Sequence, residues 1–175
     1  MSIDEQYLSS AIRQFRTYKA LGDKTFGQLK EEEVNYTPGP DSNSIALIVK
    51  HIHGNMISRW TDFLTSDGEK PNRNRDQEFE GTFSGKNEML KVWEEGWKVL
   101  FSSLEALKPE DLLKTVLIRN EPHTVLEAIN RQLAHYPYHV GQIVFLGKMI
   151  REGEWKSLSI PKGKSEEFNN KMFGK

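Results

Sequence analysis

The sequence predicts an all-α protein: a four-helix bundle with a short β-hairpin ahead of the last long helix. Three observations carry this expectation. Four segments repeat apolar residues at three- and four-residue steps over several turns each. The 175 residues match the roughly 100–200 of one domain, so 1–175 reads as a single unit with 152–175 as a polar C-terminal tail. With 37 % hydrophobic and 28 % charged residues, the chain is polar yet carries enough apolar side chains for a core.

The first helix spans about Asp4 to Leu29, with Asp4 as its cap and Leu8, Ala11, Phe15, Tyr18 and Leu21 as its apolar stripe. Tyr36-Thr37-Pro38-Gly39-Pro40-Asp41 breaks the pattern and forms a loop. The second helix starts near Ser42 or Ser44 and reaches about Leu64, burying Ile45, Ile48, Val49, Ile52, Met56, Trp60 and Phe63. Thr65 to Gly85 is a long polar loop, a length that is uncommon without a function. Ser84 caps the third helix, in which Leu90, Trp93, Trp97, Leu100, Phe101 and Leu104 read as core before a stop near Lys108-Pro109. Thr115 to Ile118 reads as a strand, Arg119 to Pro122 as a turn and His123 to Val125 as the return strand. The fourth helix covers about Thr124 to Arg151, with a kink or local widening expected at Pro137. In the tail, Trp155, Leu158 and Ile160 can pin the initial stretch, and the last residues are expected to be loose.

Composition narrows the function classes. Twenty-four basic against twenty-five acidic residues give no electrostatic basis for nucleic-acid binding. The absence of cysteine excludes disulfides, thiolate zinc sites and a cysteine nucleophile. No apolar run approaches the roughly 20 residues of a membrane span. The acidic start has no signal-like apolar region, which makes the cytoplasm the expected location.

The strongest local pattern is His135-Tyr136-Pro137-Tyr138-His139. Histidines four apart stack on one helix face and can share a metal ion. The competing reading is a pair of half-buried histidines satisfied by local hydrogen bonds. A catalytic zinc site has three protein ligands and an open position, and the second helix offers His51 or His53 as the third. On helical periodicity His53 lies nearer the apolar centre, and His51 falls on a polar flank with Ser44, Asn55 and Ser58. Imidazole ligands suit zinc, nickel, iron and copper alike. Asn55 and Gln142 are placed to support the ligands or touch a substrate; the competing reading is solvated helix flanks. Arg59, Arg73 and Arg75 would suit an anionic substrate if they crowd toward the site; otherwise they are solvated loop charges. His123 reads as a surface or loop histidine, and Trp93 and Trp97 as core. Gly163-Lys164-Ser165 is not the end of a phosphate loop, because Leu158 stands where that motif needs glycine.

The stretches Val49 to Met56, Ser58 to Leu64, Gln132 to His135 and His139 to Ile143, in this order, resemble the DinB/YfiT-like superfamily of metalloenzymes, in a branch found in bacilli and related bacteria. The resemblance covers nearly the whole chain. It implies His51, His135 and His139 as metal ligands, because the family's second-helix histidine precedes an apolar residue and then a small or polar pair, as in His51-Ile52-His53-Gly54. It also implies a DinB-like bundle, a homodimer and a divalent ion, zinc or nickel first. The expected activity is a metal-dependent one on a small-molecule substrate, in which a low-molecular-weight thiol such as bacillithiol is activated for transfer to an electrophile. Its catalytic residues are not identified, with Asn55, Arg59 and Gln142 as the candidates. The alternatives are metal-assisted hydrolysis by bound water and a non-catalytic, self-associating bundle.

Overall fold

The structure, a computed structural model, describes residues 2–174. It is mostly helical, with α1 (Ile3–Phe26), α2 (Ile45–Trp60), α3 (Lys86–Glu105), a hairpin of β1 (Thr115–Ile118) and β2 (Glu121–Thr124), α4 (Val125–Ile150) and α5 (Ser165–Met172). Lengthwise, α1 packs along α4 and α2 along α3, while contacts of α2 with α4 and of α1 with α3 join the two pairs. Aromatic side chains fill the centre. Phe15 of α1 meets Trp97 of α3 and Tyr136 of α4 at centroid distances of 6.4 and 5.9 Å. Trp93 stands edge-on to both Trp97 and Phe26. Such pairs add about 0.5–1.5 kcal/mol each beyond the area they bury.

The element boundaries follow capping chemistry more closely than the apolar pattern. Ser2, rather than Asp4, caps α1, because Ser2 and Glu5 stand at the spacing of a reciprocal capping box. Ser44 caps α2 through the Leu47 amide. This helix ends at Trp60, short of Leu64, where Asp62 turns into the left-handed region at φ 48°. Gly85, not Ser84, precedes α3, and Ser84 instead donates through both its amide and its hydroxyl to Glu88. Thr124 and Glu127 form the box that starts α4, which stays α-helical through Pro137.

The hairpin is tighter than the sequence pattern suggests. Its turn consists of Arg119 and Asn120 alone, both left-handed at φ 55° and 62°, as a two-residue type I′ connection requires. Glu121 and Pro122 therefore belong to β2, where Pro122 pairs with Leu117. In the tail, Trp155 packs on Gly147 and Lys156 exchanges two hydrogen bonds with Gln28. Leu158 is half-buried and Ile160 exposed, and the expected loose end contains α5, none of whose residues is buried.

The long connection after α2 is ordered by its partners. The Ser58 hydroxyl donates to the Gly68 carbonyl at 3.0 Å and accepts from the Lys70 amide at 2.9 Å. The Gly68 amide donates to Leu117 of β1. Asp67 accepts from the amides of Arg119 at 2.9 Å and Asn120 at 2.7 Å, tying this loop to the hairpin turn.

Burial pushes the Asp67 carboxyl up, but the three backbone N–H groups of Glu69, Asn120 and Arg119 outweigh it and hold its pKa below the ordinary 3.8. A carboxyl with a lowered folded pKa stabilises the fold fully above its unfolded value and loses that contribution as pH falls through the lowered value. Asp67→Asn should therefore lower the urea midpoint at neutral pH, and the gap to wild type should shrink as pH drops below about 3.8. Equal midpoints at neutral pH would show that the clamp adds nothing to stability.

Candidate metal centre

His135 and His139 lie one turn apart on α4, and His51 faces them from α2. The Nε2 atoms of His135 and His139 are 3.1 Å apart, and those of His51 and His135 are 3.4 Å apart. One nitrogen from each ring fits within a 4.8 Å span. His51 is 5 % exposed; the other two are half-buried.

The opposite edge of every ring meets an oxygen. His51 Nδ1 lies 2.9 Å from Glu78 Oε2, His135 Nδ1 3.3 Å from Gln132 Oε1 and His139 Nδ1 2.8 Å from Gln142 Oε1. An oxygen beside each Nδ1 accepts the hydrogen carried there, and each ring thereby turns its Nε2 edge toward the other two. Burial, reinforced by the neighbouring His139, His51, Arg59 and Arg73, pushes the His135 pKa down to about 3. Burial also lowers that of His139, against the Gln142 hydrogen bond. The rings of His135 and His139 are thus neutral at neutral pH. Nε2 lone pairs turned face to face repel unless a cation lies between them. Two imidazoles on one zinc, each at about 2.0–2.1 Å, place their nitrogens on the order of 3–4 Å apart, the range of the 3.1 and 3.4 Å separations. The donor set could hold a divalent ion.

Glu78 is the residue that sequence patterns did not single out. It stands in a 3₁₀ turn, Asp76–Phe79, within the long loop, and is 6 % exposed. Arg73 grips it with two bonds, Nε to Oε1 at 2.7 Å and Nη2 to Oε2 at 3.0 Å. Burial alone would raise the Glu78 pKa, but the hydrogen bonds and charges of His51 and Arg73 hold it below its usual value. Arg73 also reaches Glu69, which pairs with Arg119 of the hairpin. Phe79 stacks on the His51 ring at 4.8 Å. Gly54 makes this approach possible: a Cβ there would stand 2.3 Å from Glu78 Oε1.

His53, which periodicity preferred, is not among the converging histidines. It points to Glu95 of α3, at 3.1 Å, and stays partly exposed. The single-stripe reading fails because α2 is covered on two sides, by α3 and by α4 with the loop. His123 lies in β2, apart from the centre, with its Nε2 buried and unpartnered. Gln142 meets His139 as the spacing allowed, and Gln132 does the same for His135 from one turn earlier. Asn55 supports no ligand. Its Oδ1 accepts from the Tyr136 hydroxyl at 2.9 Å, and that hydroxyl accepts from Trp60 Nε1 at 3.0 Å. A cavity of about 590 Å³ opens beside His51 and His135, and Asn55, Arg59, Arg73 and Arg75 all line it. A larger one of about 680 Å³, at Trp60, Phe63 and Lys98, is lined by none of the three histidines.

A family model described as "protein of unknown function (DUF1572)" matches residues 2–164. The chain belongs to this family. DUF1572 has the DinB-like fold, the level at which the resemblance read from the sequence is borne out. No curated protein matches the chain. In this DUF1572 protein no helix among the described residues is long and apolar enough to cross a membrane.

Burial keeps Tyr136 a hydroxyl by raising its pKa. Tyr136→Phe would orphan the Trp60 N–H and Asn55 Oδ1, and should destabilise the fold by about 1–3 kcal/mol in chemical denaturation. An unchanged stability would mean that the hydroxyl is dispensable to both partners.

Proposed function

We propose that this DUF1572 protein is a metal-dependent enzyme of the DinB type, built on a four-helix bundle, in which His51, His135 and His139 hold one divalent ion, zinc or nickel. The observation that supports this reading is the trio of Nδ1–oxygen contacts, which leaves three Nε2 edges converging. A ligand set of neutral imidazoles leaves the ion's charge intact, and when bound it supplies Lewis acidity that eases deprotonation of a thiol or water. The chain's own residues orient the site. Gln132 and Gln142 fix the two α4 rings, and Glu78, clamped by Arg73, fixes the α2 ring. The cavity beside His51 and His135 admits a small molecule. By the family resemblance, the reaction is transfer of a low-molecular-weight thiol such as bacillithiol to a small electrophile. The chain contains no cysteine, so the sulfur comes from the cofactor.

Elemental analysis of protein purified without added metal should find one ion per chain, and His139→Ala should lose it. Equal metal in both proteins would overturn the reading. Glu78→Gln should keep the fold and weaken metal affinity about 10–100-fold in a competition titration with a chromogenic chelator. Turnover of a chromogenic alkyl halide that requires added thiol would support thiol transfer, and turnover without thiol would support hydrolysis.

A further inference from the structure

The cavity beside the histidines is lined by five arginines: Arg59, Arg73, Arg75, Arg119 and Arg131. No carboxylate is among its lining residues. Their charges are not equally balanced. Arg73 is held by Glu78 and Glu69, and Arg119 reaches Glu69 at 3.3 Å. Arg75 lies over the Phe79 ring at 5.6 Å. Among the described residues neither Arg75 nor Arg131 has a carboxylate partner.

Arg59 differs from all of these. It is 3 % exposed, and its Nε and Nη1 are buried without a hydrogen-bond partner. The Gly68 backbone lies against it so closely that a Cβ there would stand 2.6 Å from Nη1. A guanidinium remains charged at neutral pH even though burial lowers its pKa. Removing such a charge from water without a paired acceptor is strongly unfavourable. A buried guanidinium with two unpartnered nitrogens, balanced only by the more distant charges of Glu69 and Asp67, at the wall of an arginine-lined cavity has the chemistry of a site that awaits an oxyanion.

We propose that this cavity binds the oxyanion head, carboxylate or phosphate, of a small-molecule substrate, with Arg59 as the buried anchor and Arg75 and Arg131 as the outer cations. His51 and His135 line the same cavity, so an anion seated on the arginines extends its other end toward the histidines. This deepens the metal-centre reading by naming the substrate class, and only the fate of that other end rests on it. Arg73 is a positioning residue: its guanidinium is engaged by two carboxylates and orients Glu78 behind His51.

The test is calorimetric titration of the metal-free protein with inorganic phosphate and, in a second arm, with acetate, against chloride at matched ionic strength. At least one of the two oxyanions should bind with a saturable isotherm that chloride lacks; which one binds tells a phosphate head from a carboxylate. Arg59→Gln should weaken that binding at least about tenfold. Arg59→Lys should recover only a fraction of it, because an ammonium lacks the planar fork. Since Arg59 is buried, the double variant Arg75→Gln/Arg131→Gln provides a readout at exposed positions and should weaken binding severalfold. His139→Ala, at the one histidine of the three that does not line the cavity, should retain the binding although it abolishes metal uptake, which separates this proposal from the metal centre. No saturable binding of either oxyanion, or binding unchanged in both arginine variants, would overturn the proposal. So would binding lost in the histidine variant and kept in the arginine ones.

Discussion

Each imidazole at the centre of this protein is met at Nδ1 by an oxygen from behind. The rings therefore meet through their Nε2 edges, an arrangement that the fold must impose. Two oxygens come from the helix that carries the rings: Gln132 lies three residues before His135 and Gln142 three after His139. Both use the one-turn spacing at which helix side chains meet. The third oxygen is brought by the long loop, whose 3₁₀ turn places Glu78 under His51. Much of the remaining architecture serves that delivery. The loop is pinned to the end of α2 through Ser58 and to the hairpin through Asp67.

The charges behind the rings alternate. Arg119 meets Glu69, Glu69 meets Arg73, Arg73 meets Glu78, and Glu78 meets His51. Removing either partner of the buried Arg73–Glu78 pair would leave an uncompensated charge, which is far more damaging than losing an exposed ion pair. The relay thus explains how a polar, loop-borne carboxylate can be nearly as buried as a core side chain. It also separates the arginines into those committed to structure and those left facing the cavity.

The helices, the hairpin and the paired histidines of α4 were legible because local periodicity and turn chemistry encode them. The cap of α1 was misjudged by two residues, where Ser2 competed with the acidic Asp4, and that of α3 by one, where Gly85 rather than Ser84 precedes the helix. The third histidine was legible only through the family resemblance. A hydrophobic wheel assumes one buried face, and α2 is covered on two, so a buried polar His51 looked like a flank and a half-exposed His53 looked like core. The hydrogen bond of Asn55 was illegible for a related reason: its partner is Tyr136, 81 residues away, and no spacing rule reaches that far. Glu78 could not be singled out among the charges of its loop, although the loop's length had marked it for a function. Gln132 carried the same one-turn relation to a histidine as Gln142 and was readable in principle.

Gly54 and Gly68 lie on opposite sides of this machinery. At each, the missing methyl is filled by the end of a charged side chain, the Glu78 carboxylate at one and the Arg59 guanidinium at the other. These positions are governed by an exclusion volume rather than by a contact. Alanine, ordinarily the mildest replacement in a helix, would at either position have to push that charged tip aside. At these two glycines a substitution acts through the charged group it displaces, Glu78 or Arg59, rather than through any side chain lost.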